Sequence, residues 1–375
     1  MKTVMKTAWK KKNLFVSLLA FLLALRDYIF IFDENLSPVI SIAVYAVLFA
    51  YLYLYIITRQ WLTMPKKLAI TVLLILLTVL CHFSSYPILT IFLFVYVLRN
   101  TSLEDAVSIF FWPRFIMTIL ATLLYELGMT NDVARDVGYK LGGGTFHTMG
   151  MSMNPNTTAS YYFCAIMLCY LYGKIRNKKI LFFVPVITAV YITKLTMSRT
   201  VLLSTIALYI FDLVFRSKKN NILVKASLLL PFVYIVLTLY LAFLGHGNPV
   251  LNVLFSLRPA FWFDYFAQLG IKDFIIGSGS TLGVTVDSGY IGLLIFGGVL
   301  LYIPFCNLLK YGMVRNRKDE SSYFVFLLTI FSFSFMESVG MMQLRDITVL
   351  LYLVLYKLML NNSYRLSSNR GKFFC

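Results

Sequence analysis

Apolar stretches long enough to cross a bilayer recur along nearly the whole chain, and this pattern constrains the fold more than any other feature. A membrane-spanning helix needs about 20 consecutive apolar residues. Candidate spans by that criterion are Leu14–Phe32, Val39–Ile57, Leu68–Phe83, Tyr86–Leu98, Val107–Leu127 and Asn156–Gly173 in the first half. Ile180–Thr196, Thr200–Phe215, Leu223–Leu244, Ser288–Leu309, Ser322–Met336 and Asp346–Leu360 follow in the second. The expected fold is therefore all-α: a polytopic integral membrane protein of about 12 transmembrane helices, forming one transmembrane domain over residues 1–375. Composition agrees, at 59% hydrophobic and 13% charged residues, against about 45–50% and about 25% in soluble domains. A water-soluble fold is excluded on those grounds. So are disorder and collagen, because Phe 33 and Tyr 25 are too many and Gly 20 plus Pro 10 too few.

Three segments need separate argument. Leu14–Phe32 follows Lys10-Lys11-Lys12, as a signal peptide would. It is too long for a signal core and ends in Phe32-Asp33-Glu34-Asn35 without a small-residue cleavage site, so it reads as a retained first span. Ile180 to Phe215 read as one helix would be about 54 Å long at about 1.5 Å per residue, far beyond the ~30 Å hydrocarbon core. Lys194, Ser198 and Arg199 sit in its middle and predict a hairpin there. Tyr86–Leu98 is short, which suits a re-entrant segment or a span in a thinned membrane.

The charge pattern sets the topology. A net charge of +18 would point to nucleic acid in a soluble protein. Here the Lys and Arg residues cluster briefly between apolar runs, so the membrane explains them and no nucleic-acid partner is expected. With the N-terminus inside and the spans alternating, about three quarters of the Lys+Arg fall on the inner side, a strong positive-inside bias. Both termini then come out cytoplasmic, in a multi-pass protein of the bacterial cytoplasmic membrane. The exceptions are Arg26, Arg114, Arg135, Lys140, Lys194, Arg199, Arg258, Lys272 and Arg345. A cation outside or within a span is costly and faces a cavity, a partner or a ligand. The two longest loops, residues 128–155 and 245–287, also fall outside, so the working surface faces away from the cytoplasm. Cys81, Cys164, Cys169, Cys306 and Cys375 form no CxxC, and His82, His147 and His246 are scattered singly. No metal or other cofactor is expected from such a set.

The second outer loop carries structure of its own. Phe255 to Leu269 is rich in aromatic residues, Pro259 suits the first turn of a helix, and Arg258 stands at its entrance. Asp264 and Gln268 fall one turn apart on one face. An interfacial helix is expected, acting either as a membrane anchor or as part of a site.

Four short segments, taken in order and in their spacing relative to the spans, resemble a known family. Asn154-Pro155-Asn156-Thr157 opens a span after the first long loop. Ser198-Arg199-Thr200 marks the outer tip of the hairpin. Leu257-Arg258-Pro259-Ala260-Phe261-Trp262 starts the helix of the second loop. Asp287-Ser288-Gly289-Tyr290-Ile291, after Ile276-Gly277-Ser278-Gly279, opens the next span. In this pattern the chain is similar to the bacterial O-antigen and capsular polysaccharide polymerases (Wzy-type), relatives of the O-antigen ligases. The resemblance implies a GT-C-like membrane glycosyltransferase that joins lipid-linked repeat units into O-antigen, capsular polysaccharide or exopolysaccharide. Its substrate would be an undecaprenyl-diphosphate-linked oligosaccharide, and its partners membrane lipids, a flippase and a chain-length regulator.

That chemistry assigns expected roles. Negative charge develops on the departing diphosphate, which fixed cations stabilise. Arg199 and Arg258 are the first candidates, since a guanidinium grips phosphate oxygens with two hydrogen bonds. Lys194 is a third, unless it snorkels from its helix end. A structural ion pair of the arginines with Asp264, Asp273 or Asp287 is the competing reading. His147, in the first long loop, is a candidate general base by its ordinary pKa near ~6.5. Asp287 is the rival base, or else an N-cap. Asn154 and Asn156 would hydrogen-bond sugar hydroxyls, or cap a helix beside Pro155. Tyr290 would face the outer cavity or pack in the aromatic belt. The Gly142-Gly143-Gly144 run and Gly277-Ser278-Gly279 lack the Gly-Lys-Ser/Thr ending of a phosphate loop.

The charges inside spans need partners as well. Adjacent helical residues such as Arg26 and Asp27 point about 100° apart and are not expected to share a seam. Arg26 or Arg114 is expected to pair with Glu126, Glu337 or Asp346. A lipid-linked oligosaccharide flippase or other secondary carrier would also use such residues, and a membrane O-acyltransferase acting on the same glycans is a further alternative.

Overall fold

The computed structural model describes residues 2–33, 35–57, 87–136, 145–152, 154–216, 221–278, 286–313, 321–338, 341 and 343–370. The expected span Leu68–Phe83 and the Gly142-Gly143-Gly144 run lie outside these residues. The described chain is helical apart from two three-residue strands. Five helical segments among the described residues are long and apolar enough to cross a membrane: Leu14–Ile31, Leu103–Glu126, Lys179–Thr196, Ile222–Phe243 and Gly289–Lys310. Leu36–Leu52 and Ser321–Ser334 are apolar but shorter. The chain is thus an all-α membrane protein, divided into two compact units.

The first unit takes residues 1–83, 92–199 and 345–347. In chain order it contains α1 (Lys2–Tyr28), α2 (Leu36–Ile57), most of α3 (Pro87–Leu98) and α4 (Leu103–Glu126). The antiparallel strands β1 (Ala134–Asp136) and β2 (Thr145–His147) follow, then α5 (Pro155–Ile175) and α6 (Val184–Thr196). α4 starts where Ser102 Oγ accepts the Asp105 amide at 3.1 Å and stops at Gly128, whose φ of 67° a helix cannot continue. α5 starts at an Asn154 cap with Pro155 in its first turn. Residues 158–171 of α5 are buried on every side, which marks it as the central helix of this unit, packed by α4 and α6. The Phe111 and Tyr172 rings stack across α4 and α5 with centroids 4.1 Å apart.

The second unit takes residues 84–91, 200–344 and 348–370 of the described chain. It contains α7 (Arg199–Arg216) from its second residue on, α8 (Asn221–Phe243), the loop helices α9 (Pro249–Leu254), α10 (Arg258–Ala267) and α11 (Ile271–Ile276), α12 (Gly289–Met313), α13 (Ser321–Ser334) and α14 (Asp346–Arg370) from its third residue on. The interruption expected near Lys194 is present: α6 gives way at Met197, in the left-handed region with φ 56°, and α7 begins two residues later. α8 packs on α10, α12 and α13, and Tyr234 and Ser332 share a 2.9 Å hydrogen bond across α8 and α13. α12 breaks at Gly298, φ 60° and ψ −177°. α11 packs into that break. A Cβ on Gly277 would stand 2.2 Å from the Phe296 carbonyl oxygen, and one on Gly298 2.4 Å from that of Ile275. The Ser278 amide donates to the Ile295 carbonyl at 2.9 Å, supplying a partner that the broken helix lacks. Gly277 and Ser278 therefore serve close backbone packing.

Candidate functional site

Three polar clusters stand out, and the expected site residues are distributed among them. The first lies within the spans of the first unit. Arg114, next to Pro113 on α4, has no exposed surface. Its Nε donates to Asp346 Oδ2 at 2.5 Å and its Nη2 to Asp27 Oδ2 at 2.7 Å. Arg345 Nη1 stands 3.0 Å from Asp27 Oδ2, and its guanidinium lies 4.3 Å from the centre of the Tyr161 ring. Arg26 Nη2 reaches Asp27 Oδ1 at 3.3 Å, which corrects the expectation that these neighbours could not share a seam. A long, flexible Arg side chain bends across the 100° that separates their Cβ directions. Of the expected partners, Asp346 takes Arg114, whereas Glu126 accepts from Tyr191 at 2.6 Å. Asp27 and Arg345 were not foreseen as the rest of the network. Removing one member would leave a buried charge uncompensated, at a cost of about 3–5 kcal/mol. The network joins α1, α4 and the start of α14 and sets three guanidiniums, Arg26, Arg114 and Arg345, against two carboxylates, Asp27 and Asp346.

The second cluster sits on the ribbon of the first long loop. His147 Nδ1 is 2.5 Å from Asp132 Oδ2, and the ring stands edge-on to Tyr125 at 6.2 Å. Asp132 Oδ1 also accepts the amides of Thr148, at 2.9 Å, and Met149, at 2.7 Å. The aspartate is thus fixed by the backbone and in turn orients the imidazole, leaving Nε2 to act. Asp132 was not singled out from sequence. Its spacing of fifteen residues from His147 means nothing until β1 and β2 pair.

Nearby expectations are revised. The Asn154 side-chain oxygen accepts the Asn156 amide at 2.9 Å, so it caps α5 and is not a free sugar ligand. Asn156 follows Pro155 in the first turn, and its carbonyl accepts from Ser160. Lys194 and Arg199 are both exposed, on either side of the α6–α7 turn.

The third cluster is in the second long loop. Arg258 is the first residue of α10, as expected, and is nearly buried. Its Nη2 donates to Glu337 Oε1 at 3.1 Å, and its Nε lies 3.5 Å from Asp287 Oδ2. The Asp287 carboxylate is 41% exposed. Burial pushes its pKa above the usual carboxylate value, and Arg258 partly offsets that shift. Asp287 does not cap α12: the helix begins with the Ser288 carbonyl accepting the Gly292 amide, and the carboxylate turns to Arg258 instead. Of the foreseen ion-pair partners, Asp287 is used, Asp264 is exposed and Asp273 accepts the Gly270 amide. Glu337, expected to pair with Arg26 or Arg114, instead reaches Arg258 from seventy-nine residues away. Tyr290 is corrected too. It is buried, and its hydroxyl donates to the Phe331 carbonyl at 3.2 Å, so it packs α12 against α13.

The interfacial face expected on α10 is also revised. Trp262, Tyr265 and Phe266 turn inward, Phe261 alone of the large apolar side chains of α10 is exposed, and further exposed apolar side chains belong to α9 (Val250, Val253, Leu254) and α11 (Ile271, Ile275, Ile276). Among the described residues no three His, Cys, Asp or Glu side chains gather as a metal-ligand set. Compared with known proteins, the chain matches no family model, no curated protein and no solved structure.

Proposed function

We propose that this protein polymerises lipid-linked oligosaccharide repeat units at the outer face of a bacterial cytoplasmic membrane, transferring the growing glycan from undecaprenyl diphosphate to a sugar hydroxyl of the incoming unit. The observation that carries the reading is the meeting of Arg258 with a part-exposed Asp287, whose pKa burial raises, in the long second loop. The acceptor oxygen bonds to the anomeric carbon, the bond from that carbon to the diphosphate oxygen breaks, and the diphosphate leaves with the electron pair. The hydroxyl proton passes to Asp287, whose raised pKa makes it a stronger base than an ordinary carboxylate. Arg258 already faces Asp287 and Glu337, so its charge is largely spent. A GT-C-like arrangement of about 12 spans with both termini cytoplasmic belongs to the same proposal.

Proteoliposomes holding the purified protein and lipid-linked repeat units test it. The wild type should convert single units into a ladder, and Asp287→Asn should slow this by about 10²–10³, in the range of general-base loss. Units that cross the bilayer without forming a ladder would make the protein a flippase. A ladder lost in His147→Ala and kept in Asp287→Asn would move the base to the His147–Asp132 pair.

A further inference from the structure

Two nitrogen donors on one face of α10 are buried and make no hydrogen bond: Arg258 Nε and Trp262 Nε1. Trp262 follows Arg258 by four residues, one helical turn, and has no exposed surface. A buried N–H without an acceptor is costly and uncommon. Asp287 is too far from Arg258 Nε for a good hydrogen bond, at 3.5 Å, yet it is the open side of the cluster. Charge decides what could complete these donors. One guanidinium faces two carboxylates, Asp287 and Glu337, and among the described residues Tyr265, from the same helix, is a further titratable group near Asp287. The cluster is net negative, and a diphosphate would meet repulsion there.

We propose that Arg258 and Trp262 donate to oxygen atoms of an uncharged saccharide whose hydroxyl Asp287 accepts, making this cluster the acceptor-sugar subsite. The proposal rests on the polymerase reading and reassigns Arg258 from the lipid diphosphate to the glycan. Trp262 is a binding residue in it.

The test uses the full-length protein and the oligosaccharide released by mild acid from lipid-linked repeat units, tritiated at its reducing end. The wild type should bind it, and excess inorganic pyrophosphate should not compete. Replacing Trp262 by benzothienylalanine removes the N–H and keeps the ring shape, and should weaken binding about 3- to 10-fold. Asp287→Asn should weaken it about 10-fold or more, since a hydrogen bond to a charged group is lost. Competition by pyrophosphate, together with tighter binding in Asp287→Asn, would make the cluster an anion site and overturn the proposal. Unchanged affinity in the benzothienylalanine variant would remove Trp262 and overturn it too. A wild type that forms the ladder without binding the released oligosaccharide would sink the subsite alone, whereas absence of the ladder would sink the polymerase reading.

Discussion

Asp287 shows how much a single side chain's surroundings decide. From sequence alone a helix cap is the favoured reading and a base the rival one, because an aspartate directly before a span sits where caps do. The structure gives the cap's position to Ser288 and turns Asp287 toward Arg258, across a loop whose path no local pattern encodes. Arg258 at a helix entrance was legible from Pro259, and Glu337 was not, since burial partners distant in sequence leave no spacing to read. The raised pKa of Asp287 has two consequences with opposite signs. As a base it must be ionised, so the polymerisation rate should climb with pH through a midpoint above the ordinary carboxyl value of about 3.9. Folded Asp287 also holds its proton to higher pH than the unfolded chain does, so its contribution to stability is greatest in acid and is lost as pH rises through the folded value. Asp287→Asn should therefore lower the rate at neutral pH without lowering the melting temperature, and should flatten the acidic limb of both profiles. A parallel fall of rate and melting temperature would show that the residue acts only structurally.

At the scale of elements, the apolar runs located most of the described long helices to within a few residues, because burial of a continuous apolar segment is what both the run and the helix express, whereas α1 begins at Lys2, well before its run, and α14 continues to Arg370, well past its own. The α6–α7 turn was legible for the same reason, as a polar interruption in a run too long for one span. The short loop helices α9 and α11 and the β1–β2 ribbon were not. Segments of three to six residues have no periodicity to detect and are held by what they pack against. The break at Gly298 was equally silent, since Gly297-Gly298 in an apolar run reads as ordinary helix interior. Its role is visible only with α11 in place. Gly277→Ala and Gly298→Ala should each cost about 1–3 kcal/mol, from a positive φ and a forced overlap. Gly247→Ala, which meets nothing within 4 Å, is the control. Thermal unfolding in detergent, followed by intrinsic fluorescence, should separate the pair from the control by several degrees.

Over the whole molecule, the distribution of cations was the most informative signal for topology. In a background with the five native cysteines replaced, a cysteine at Asn131 or Gly247 should react with an impermeant thiol reagent on intact cells, and one at Lys178 should not. The reverse labelling would invert the orientation and take the proposed chemistry to the cytoplasmic side. The contact of α11 with the break in α12 adds a statement about depth. Ile295 and Gly298 lie about 9 and 14 Å along the helix from Gly289 at about 1.5 Å per residue. A span that enters the bilayer at Gly289 thus carries α11 down beside it, below the headgroups. The exposed Ile271, Phe274, Ile275 and Ile276 would then rest among acyl chains, with Lys272 reaching back up to water. A tryptophan at Phe274, in a background lacking the native tryptophans, should be quenched by lipids brominated part-way down the chain more than by aqueous acrylamide. What is a connecting loop in the chain is then a re-entrant one by immersion, and the thickness of the surrounding lipid becomes a variable that sets how firmly the second loop is held.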